Sequence, residues 1–411
     1  MAFKRIQKRR LENSISTKDL KRLLVSHNFL VAGRIFFEIF LNVFIWKQTD
    51  SIIAVAWFNI VYLLVHTIIF SLFTDKVKRG HVHFPRQLGL AGFGFVYLAI
   101  YFLADKVINY LIPLAIVIGI FNGLYWISYQ TIRFDLTHTK NRGNYAGMEG
   151  ATRIVVKIIM PALGGFLITA NFFGWGYATI FLFGALLFFA SFFIGNVKYE
   201  PHTKTRLHFR KSLKIILKDK DIMKNMWAYF FSNVGRSGAL ERILLPFLIF
   251  SILQNEFELG GWLSFFSVIA IITTLIIGKY MRYKRYNKSI MISTILYAAL
   301  ILSLAFFPSF TIYILFGILV EVLTPFIAIP KRVYGENLVH TMKNYKEHRM
   351  EYFIVREWFN VGFGRLFSYV LLLFIGGIAP EQLMFILPVM AGAIIIEAIL
   401  LVSIKMDLSK I

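Results

Sequence analysis

Residues 28–46 read NFLVAGRIFFEIFLNVFIW, an apolar run that is interrupted by one arginine and one glutamate. A helix needs about 20 such residues to cross the hydrocarbon core of a bilayer. Eleven further runs of similar length follow along the chain. They cover residues 52–73, 87–104, 109–132, 144–170, 174–196, 225–252, 260–279, 289–307, 310–330, 350–376 and 382–404. We therefore predict an all-α polytopic membrane protein with twelve transmembrane helices.

The composition supports this prediction. Of the 411 residues, 57% are hydrophobic and 16% are charged, whereas soluble domains have about 45–50% apolar and about 25% charged residues. Such a chain could neither cover a soluble surface nor remain disordered. It contains no cysteine, which excludes disulfides and thiolate metal sites. No cleavable signal peptide is expected, because the first apolar run starts behind a long basic segment.

The basic residues predict the orientation of the helices. With the N-terminus inside, the cytoplasmic segments hold 36 of the 45 Lys and Arg residues, and the outer loops hold only Lys47 and Lys106. Both termini are therefore expected to be cytoplasmic. The net charge of +23 then faces anionic lipid headgroups and requires no nucleic acid. We expect a monomer in the plasma membrane, with the lipid bilayer and a small-molecule substrate as its partners.

The longest loop separates six spans from six. It contains HFRKSLKIILKDKDIMKNM, residues 208–226, which predicts an amphipathic helix at the inner interface. A shift of 202 residues lays Gly33-Arg34 over Gly235-Arg236, and such a 6+6 repeat is typical of secondary transporters. The predicted segments are a cytoplasmic basic segment (1–27), a six-helix bundle (28–196), a cytoplasmic linker (197–224), a second six-helix bundle (225–404) and a cytoplasmic tail (405–411).

Two short motifs carry a resemblance to a known family. Residues 71–79, SLFTDKVKR, are similar to the G-x-x-x-D-R-x-G-R-R loop of the major facilitator superfamily, although both glycines are absent. Residues 161–165, PALGG, match the P-x-x-G-G end of that superfamily's antiporter motif. With its two six-span halves and basic central loop, the whole chain resembles this superfamily. The helix 4 arginine of its proton-coupled drug exporters is absent, since Gly119 stands in its place.

The resemblance implies alternating access of a central cavity that the first, fourth, seventh and tenth spans line. It also implies that Asp75, Lys76 and Arg79 belong to a cytoplasmic gate. From the residues alone, Asp75 is equally well read as a helix-capping residue in a positive loop. The cavity residues that the resemblance singles out are Arg34, Glu38, Tyr125, Tyr129, Gln130, Arg236, Glu241 and Glu321.

Thirteen ionisable residues, not counting histidine, lie within the predicted spans. Each charge at the bilayer centre costs about 2.5–3.5 kcal/mol, so the sum exceeds a typical net stability of about 5–15 kcal/mol. We therefore expect these residues to pair around a water-filled cavity. Helical spacing places Arg34 beside Glu38, and Glu149 beside Arg153 and then Lys157.

The other intramembrane charges have no partner that helix geometry fixes. Arg236 and Glu241 are about 140° apart on an ideal helix and would meet only if the seventh span is distorted. Glu397 is expected to reach the membrane interface. A carboxylate near an arginine can exchange protons, or it can form a permanent salt bridge. The residues predicted for coupling or ion pairing are Glu38, Glu241, Glu321, Glu149, Arg153 and Arg365.

These features predict a secondary transporter that an ion gradient drives, with protons as the expected ion and with no cofactor or metal. No nucleotide-binding or catalytic motif is present, so an enzyme is not expected.

Arg34 and Arg236 favour an anionic or zwitterionic substrate, an arrangement that resembles the superfamily's organophosphate exchangers. The glutamates and aromatic spans favour instead the export of a lipophilic cation by proton antiport. A receptor or scaffold without transport is a further alternative. Tyr125 and Tyr129 would stack on the substrate or only pack.

Overall fold

The structure is a computed structural model that describes residues 2–137, 142–171, 176–197, 207, 209–281, 283–341, 345–375 and 380–405. All regular elements among these residues are helices. They form twelve membrane-spanning helices, α1–α12, and a short helix in the linker, Phe209–Lys218. The predicted all-α fold is confirmed.

The first half contains α1–α6. α1 runs from Ala2–Ile35 through a π-helical turn, Phe36–Leu41, into Asn42–Thr49. α1 packs against α5 and α6, α2 against α4, and α3 against α4 and α6. The bounds of the other five helices are α2 Ile52–Lys78, α3 His83–Leu103, α4 Leu111–Leu136, α5 Arg142–Thr169 and α6 Tyr177–Ile194.

The second half contains α7–α12, and two of its helices are interrupted. α7 comprises Lys220–Ser232, two π-helical turns and Leu245–Leu253, and α11 comprises Tyr345–Glu357, a π-helical segment and Leu366–Leu372. α7 packs against α11 and α12, α8 against α10, and α9 against α10 and α12. The π-helical parts are Asn233–Ser237, Leu240–Leu244 and Trp358–Arg365, and the uninterrupted helices are α8 Glu256–Tyr280, α9 Tyr286–Phe306, α10 Phe310–Thr341 and α12 Pro380–Val402.

The first junction between helices has the same structure in each half. α1 ends at Asp50 with φ 46°, and the next residue, Ser51, caps α2 by accepting a hydrogen bond from a backbone N–H. α7 ends at Gln254 with φ 51°, and Asn255 caps α8 in the same way. A residue with a left-handed backbone conformation ends one helix, and a polar side chain caps the start of the next. These equivalent turns are local evidence of the internal repeat.

Some helices differ from the predicted spans. Among the described residues, nine helical stretches are long and apolar enough to cross a membrane, and one of them, His83–Leu136, contains both α3 and α4. α7 and α11 are not among the nine, because charged residues and π-helical turns interrupt them. α1 begins before the predicted start at residue 28, and Ser26 and His27 are fully buried. Hydropathy marks lipid-facing surface and misses polar residues that face other helices.

The two halves meet along α5 with α8 and along α2 with α11. At the α5–α8 crossing, a Cβ on Gly165 would lie 2.2 Å from the backbone oxygen of Glu256, and a Cβ on Gly260 would lie 2.2 Å from that of Pro161. The close approach of these two helices therefore requires glycine on both sides. The halves enclose a cavity between these two seams.

Candidate functional site

A cavity of about 400 Å³ lies between the two halves. Its walls come from α1, α2, α4 and α5 of the first half and from α7 and α11 of the second. Its described lining carries six basic residues and two acidic ones. These are Arg34, Arg153, Lys157, Arg242, Arg356 and Arg365, with Glu38 and Glu357. The cavity is therefore strongly cationic.

Glu38 joins the two halves inside this cavity. Its Oε1 accepts a hydrogen bond from Arg34 Nη2 at 2.8 Å, and its Oε2 accepts one from Arg242 Nη1 at 2.7 Å. Arg34 also donates to Asn122 on α4 at 3.0 Å and lies over the ring of Trp126 at 5.5 Å. The predicted pairing of Arg34 with Glu38 is confirmed. The second arginine that binds Glu38 is Arg242. The sequence indicated only that this residue lies inside a predicted span.

A histidine and a carboxylate form a second link between the halves. His66 on α2 lies with Nε2 2.9 Å from Glu357 Oε1 on α11, and its Nδ1 lies 2.8 Å from the Asn122 amide nitrogen. Because Nδ1 accepts from the amide, a neutral imidazole donates from Nε2 to the carboxylate. The sequence did not place this pair in the site, because the positions of two residues on distant spans do not show whether their side chains meet.

Three cavity cations form no salt bridge with a carboxylate among the described residues. Arg356 donates to Gln130 at 3.1 Å, which places the predicted residue Gln130 in the cavity wall. The Nε of Arg365 is buried without a hydrogen-bond partner among the described residues. Lys157 is exposed to the cavity and does not join the Glu149–Arg153 pair. We call these three side chains the free cations of the site, because none of them forms a salt bridge with a described carboxylate.

Arg236 does not line the cavity, contrary to the sequence-based expectation. It is buried and donates to both carboxylate oxygens of Glu397 on α12 at 3.3 Å. Lys331 on α10 donates to the same carboxylate at 3.0 Å. Gly235 lets α7 approach α12 so closely that a Cβ would lie 2.3 Å from Ile394. This contact, together with the π-helical turns, directs Arg236 toward α12 and Arg242 toward the cavity. Glu397 therefore lies inside the bundle and not at the interface.

Replacing Arg236 with glutamine therefore tests its role outside the cavity. We expect the Arg236→Gln variant to lose about 1–3 kcal/mol of stability, because part of the hydrogen bonding of a buried carboxylate is removed. Its affinity for a cavity ligand should stay within about twofold of the wild type. Thermal unfolding in detergent and ligand binding measure the two quantities on one preparation. A tenfold loss of affinity at unchanged thermal stability would return Arg236 to the binding site.

Tyr125 and Tyr129 are also buried behind the cavity wall and do not line it. Tyr125 OH lies 2.8 Å from His27 Nδ1, and Tyr129 OH donates to Glu149 Oε1 at 2.9 Å. Glu149 accepts a further hydrogen bond from Arg153 at 3.2 Å, so the predicted helical pair is confirmed. Both rings lie on the side of α4 that faces α1 and α5. In this structure, the two tyrosines pack on His27 and hydrogen-bond to His27 and Glu149.

Glu241 and Glu321 lie apart from the described cavity lining. Glu241 accepts a hydrogen bond from Tyr297 on α9 at 2.8 Å and does not pair with Arg236. Glu321 on α10 is half-buried and interacts electrostatically with Lys157 across the two halves. α7 is distorted by two π-helical turns, yet Arg236 and Glu241 form no salt bridge and bind different partners, Glu397 and Tyr297.

The predicted cytoplasmic end of the cavity is closed by ion pairs between the halves. Lys78 at the end of α2 donates to Glu351 on α11 at 2.8 Å, and Asp135 on α4 pairs with Arg349. In the loop predicted as a gate, Asp75 pairs with Arg79, and it also accepts a hydrogen bond from the backbone N–H of Leu207 at 3.0 Å. Lys76 lies over the ring of Phe73. Lys78, which lies between Lys76 and Arg79 in sequence, provides a contact with the second half.

The opposite end is also bridged. Lys47 at the end of α1 donates to Glu256 at the start of α8 at 2.7 Å, and Tyr177 on α6 donates to the same oxygen at 2.8 Å. Trp46 stacks on Phe247 of α7. The two halves thus make polar contacts on both sides of the cavity.

Comparison with known proteins identifies the architecture. The family model of the Major Facilitator Superfamily matches residues 23–342. The uncharacterized protein YqgE of Bacillus subtilis (strain 168) is 24% identical over 366 residues, which is 89% of this chain and 84% of that protein. An uncharacterized protein in the sodM 3'region of Geobacillus stearothermophilus is 24% identical over 165 residues, which is 40% of this chain and 77% of that protein.

Solved transporters share the fold at low sequence identity. A D-xylose-proton symporter has a TM-score of 0.67 at 15% identity, with 94% of this chain and 96% of that chain covered. A bacterial homologue of the iron transporter ferroportin, in an inward-facing state, has a TM-score of 0.65 at 13% identity and covers 94% and 98%. A bacterial homolog of the human lysosomal transporter Spinster has a TM-score of 0.62 at 12% identity and covers 93% and 94%.

Proposed function

The chain belongs to the major facilitator superfamily, and from this premise we propose that it is a secondary transporter of a small organic anion. As an integral multi-pass membrane protein of this family, it would bind the anion in the cavity between its halves. The observation that carries the proposal is the charge of the described cavity lining, which holds six basic residues against two acidic ones. An ion gradient would drive the movement.

The acids of the cavity leave most of its positive charge uncompensated. Glu38 is shared by two arginines, and Glu357 is hydrogen-bonded to His66. The charges of Lys157, Arg356 and Arg365 have no such partner among the described carboxylates. A charge inside a bilayer is costly unless it is paired or hydrated. An anionic ligand would provide the missing pairing, with the planar guanidinium groups binding carboxylate or phosphate oxygens.

A lipophilic cation fits this cavity less well. Both described acids of the lining are already bound to basic groups, so a cation would compete with Arg34, Arg242 or His66 for them. A zwitterion remains compatible, since Glu38 and Glu357 lie among the bases. Trp126 offers an apolar face to the organic part of the ligand.

The contacts at the two ends support alternating access. The Lys78–Glu351 pair and the Lys47–Glu256 pair join the halves on opposite sides of the cavity. Each pair would break in one half of the cycle, so that the cavity opens to one side at a time. On the predicted orientation, the Lys78–Glu351 pair closes the cytoplasmic side.

Counterflow in proteoliposomes tests the proposal without knowledge of the coupling ion. Vesicles would be loaded with unlabelled inorganic phosphate, glycerol 3-phosphate or citrate, and exchange with the labelled compound outside would be recorded. Tetraphenylphosphonium provides the cationic comparison. Exchange of one of the anions supports the proposal, whereas exchange of the cation alone contradicts it.

Removing a free cavity cation should weaken anion binding. We expect Arg356→Gln and Arg365→Gln each to raise the Kd for the exchanged anion about tenfold or more, since a hydrogen bond to a charged group contributes about 1.5–3 kcal/mol. Lys106→Gln, which removes a cation from an exposed turn outside the cavity, is the matched control and should change the Kd less than twofold. Equal Kd values for all three variants would contradict the assignment.

A further inference from the structure

A buried histidine lies behind the cavity wall of the first half. His27 on α1 has no solvent-exposed surface. Its ring stacks on Tyr129 with centroids 4.0 Å apart, and its Nδ1 lies 2.8 Å from Tyr125 OH. The protonation state of a buried imidazole that is held in this way is determined by its hydrogen-bond partners.

Arg153 connects this histidine with the cavity. Its Nη2 lies 3.3 Å from His27 Nε2 and 3.2 Å from Glu149 Oε1, while 42% of its side chain is exposed toward the cavity. Arginine donates and cannot accept hydrogen bonds. His27 Nε2 must therefore be the acceptor, so the neutral ring carries its proton on Nδ1 and donates it to Tyr125.

Glu149 is placed to replace the arginine as the partner of His27. Its Oε1 lies 3.7 Å from His27 Nε2, and its side chain is 7% exposed. It also accepts hydrogen bonds from Tyr129 and from Arg133, both at 2.9 Å. If Arg153 turned toward the cavity, Nε2 would lose its donor and Glu149 would lose one cation. A single proton on Nε2 would satisfy both groups.

We propose that His27 is the proton-binding group of the transport cycle, and that Arg153 couples its protonation to anion binding. The inference rests on the proposed function. An anion in the cavity competes with Glu149 for the guanidinium of Arg153. When Arg153 moves to the anion, a proton from water binds to Nε2 of His27, and the imidazolium pairs with Glu149. When the anion leaves, Arg153 returns to Glu149 and Nε2, and the proton returns to water. Anion and proton would therefore move in the same direction.

Several charged groups surround His27 and disfavour a proton on Nε2 while Arg153 is in place. Three more arginines exert positive potential on the ring, so a second cation next to Arg153 is disfavoured while Arg153 is in place. Glu149 is the carboxylate within reach among the described residues that face the ring. The titratable groups facing it are Arg34 from α1, Arg86 from α3, Tyr125, Tyr129 and Arg133 from α4, and Glu149 and Arg153 from α5.

The protonation of each ring nitrogen can be read directly. The chain has nine histidines, so ¹⁵N-histidine spectra of the protein in nanodiscs are tractable, and a His27→Gln spectrum identifies the His27 signals. At pH 7, we expect wild-type His27 to carry a proton on Nδ1 and none on Nε2. In Arg153→Gln, both nitrogens should carry protons. Lys157→Gln, which removes another cavity cation from the same helix, is the matched control and should leave His27 neutral.

Several results would overturn the inference. A wild-type His27 with a proton on Nε2 would contradict the hydrogen bond from Arg153, even if the Arg153→Gln variant failed to fold. An unchanged His27 in Arg153→Gln, or an equal change in Lys157→Gln, would contradict the coupling. Because these spectra need no substrate, their outcome is independent of the anion proposal. Failure of all anions in counterflow would remove the ligand class, whereas His27 would still switch in Arg153→Gln.

Transport provides a readout that a merely structural role would not affect. For the anion that exchanges in counterflow, His27→Gln should abolish at least about 90% of the stimulation by an imposed pH gradient, because no group remains to bind the coupled proton. Its counterflow, which needs no net proton movement, should stay within about threefold of the wild type. Parallel loss of both activities would contradict the assigned role.

Discussion

Replacement of Glu38 by glutamine is expected to lower the transport rate about 100-fold. The carboxylate bridges Arg34 of the first half and Arg242 of the second at 2.8 and 2.7 Å. Removing one partner of an enclosed ion pair leaves the other charges uncompensated, at a cost of about 3–5 kcal/mol. Because Glu38 is 31% exposed to the cavity, we take the lower end, and about 3 kcal/mol corresponds to roughly 100-fold in rate.

The matched experiment removes the excess charge together with the carboxylate. Counterflow of the anion would be measured for Glu38→Gln, for Arg242→Gln and for the double variant. If the loss in Glu38→Gln comes from an uncompensated arginine, the double variant should recover at least about tenfold of it, since contacting groups couple energetically. A Glu38→Gln protein with wild-type counterflow would show that the bridge is dispensable.

Replacement of Lys78 by methionine should open the predicted cytoplasmic end of the cavity. The Lys78–Glu351 pair joins α2 to α11, and the side chains are only 6% and 0% exposed. Leaving the Glu351 charge without this partner costs the closed state about 3–5 kcal/mol, which shifts a two-state equilibrium roughly 100- to 5,000-fold. A protein that is mostly closed at this end would then be mostly open there.

The absence of cysteine from the chain makes this shift measurable. A single Gln130→Cys substitution places a thiol in the cavity wall, and a membrane-impermeant maleimide would be added to one side of oriented vesicles. Lys78→Met should speed labelling from the cytoplasmic side at least about tenfold. Lys47→Met, which breaks the pair with Glu256 at the other end, is the matched variant and should speed labelling from the outside. Faster labelling from the same side in both variants would refute opposed gates.

Much of the architecture could be predicted from the sequence. Apolar runs of membrane-spanning length, such as 52–73, became helices because a backbone in lipid must satisfy its hydrogen bonds internally. Ion pairs between residues one helical turn apart were also predictable. Arg34 pairs with Glu38, and Glu149 with Arg153, because the spacing i,i+4 places side chains on one helix face whatever the rest of the fold does.

Contacts between helices were not predictable in this way. His66 pairs with Glu357 across 291 positions of sequence, and no periodicity connects them. His27 was assigned to a cytoplasmic segment, because a polar residue that faces other helices resembles a polar residue in water when only hydropathy is read. Its burial depends on packing among α1, α4 and α5.

The repeat shows where sequence information ends. Arg34 and Arg236 occupy equivalent positions, yet Arg34 lines the cavity and Arg236 binds Glu397. The sequence by itself determined twelve helices, their division into two halves and the presence of many charges among them. The tertiary structure alone decided which charges face the cavity. The physical reason is that the two π-helical turns of α7 and its close contact with α12 set the rotation of that helix, and rotation selects the side chains that point inward.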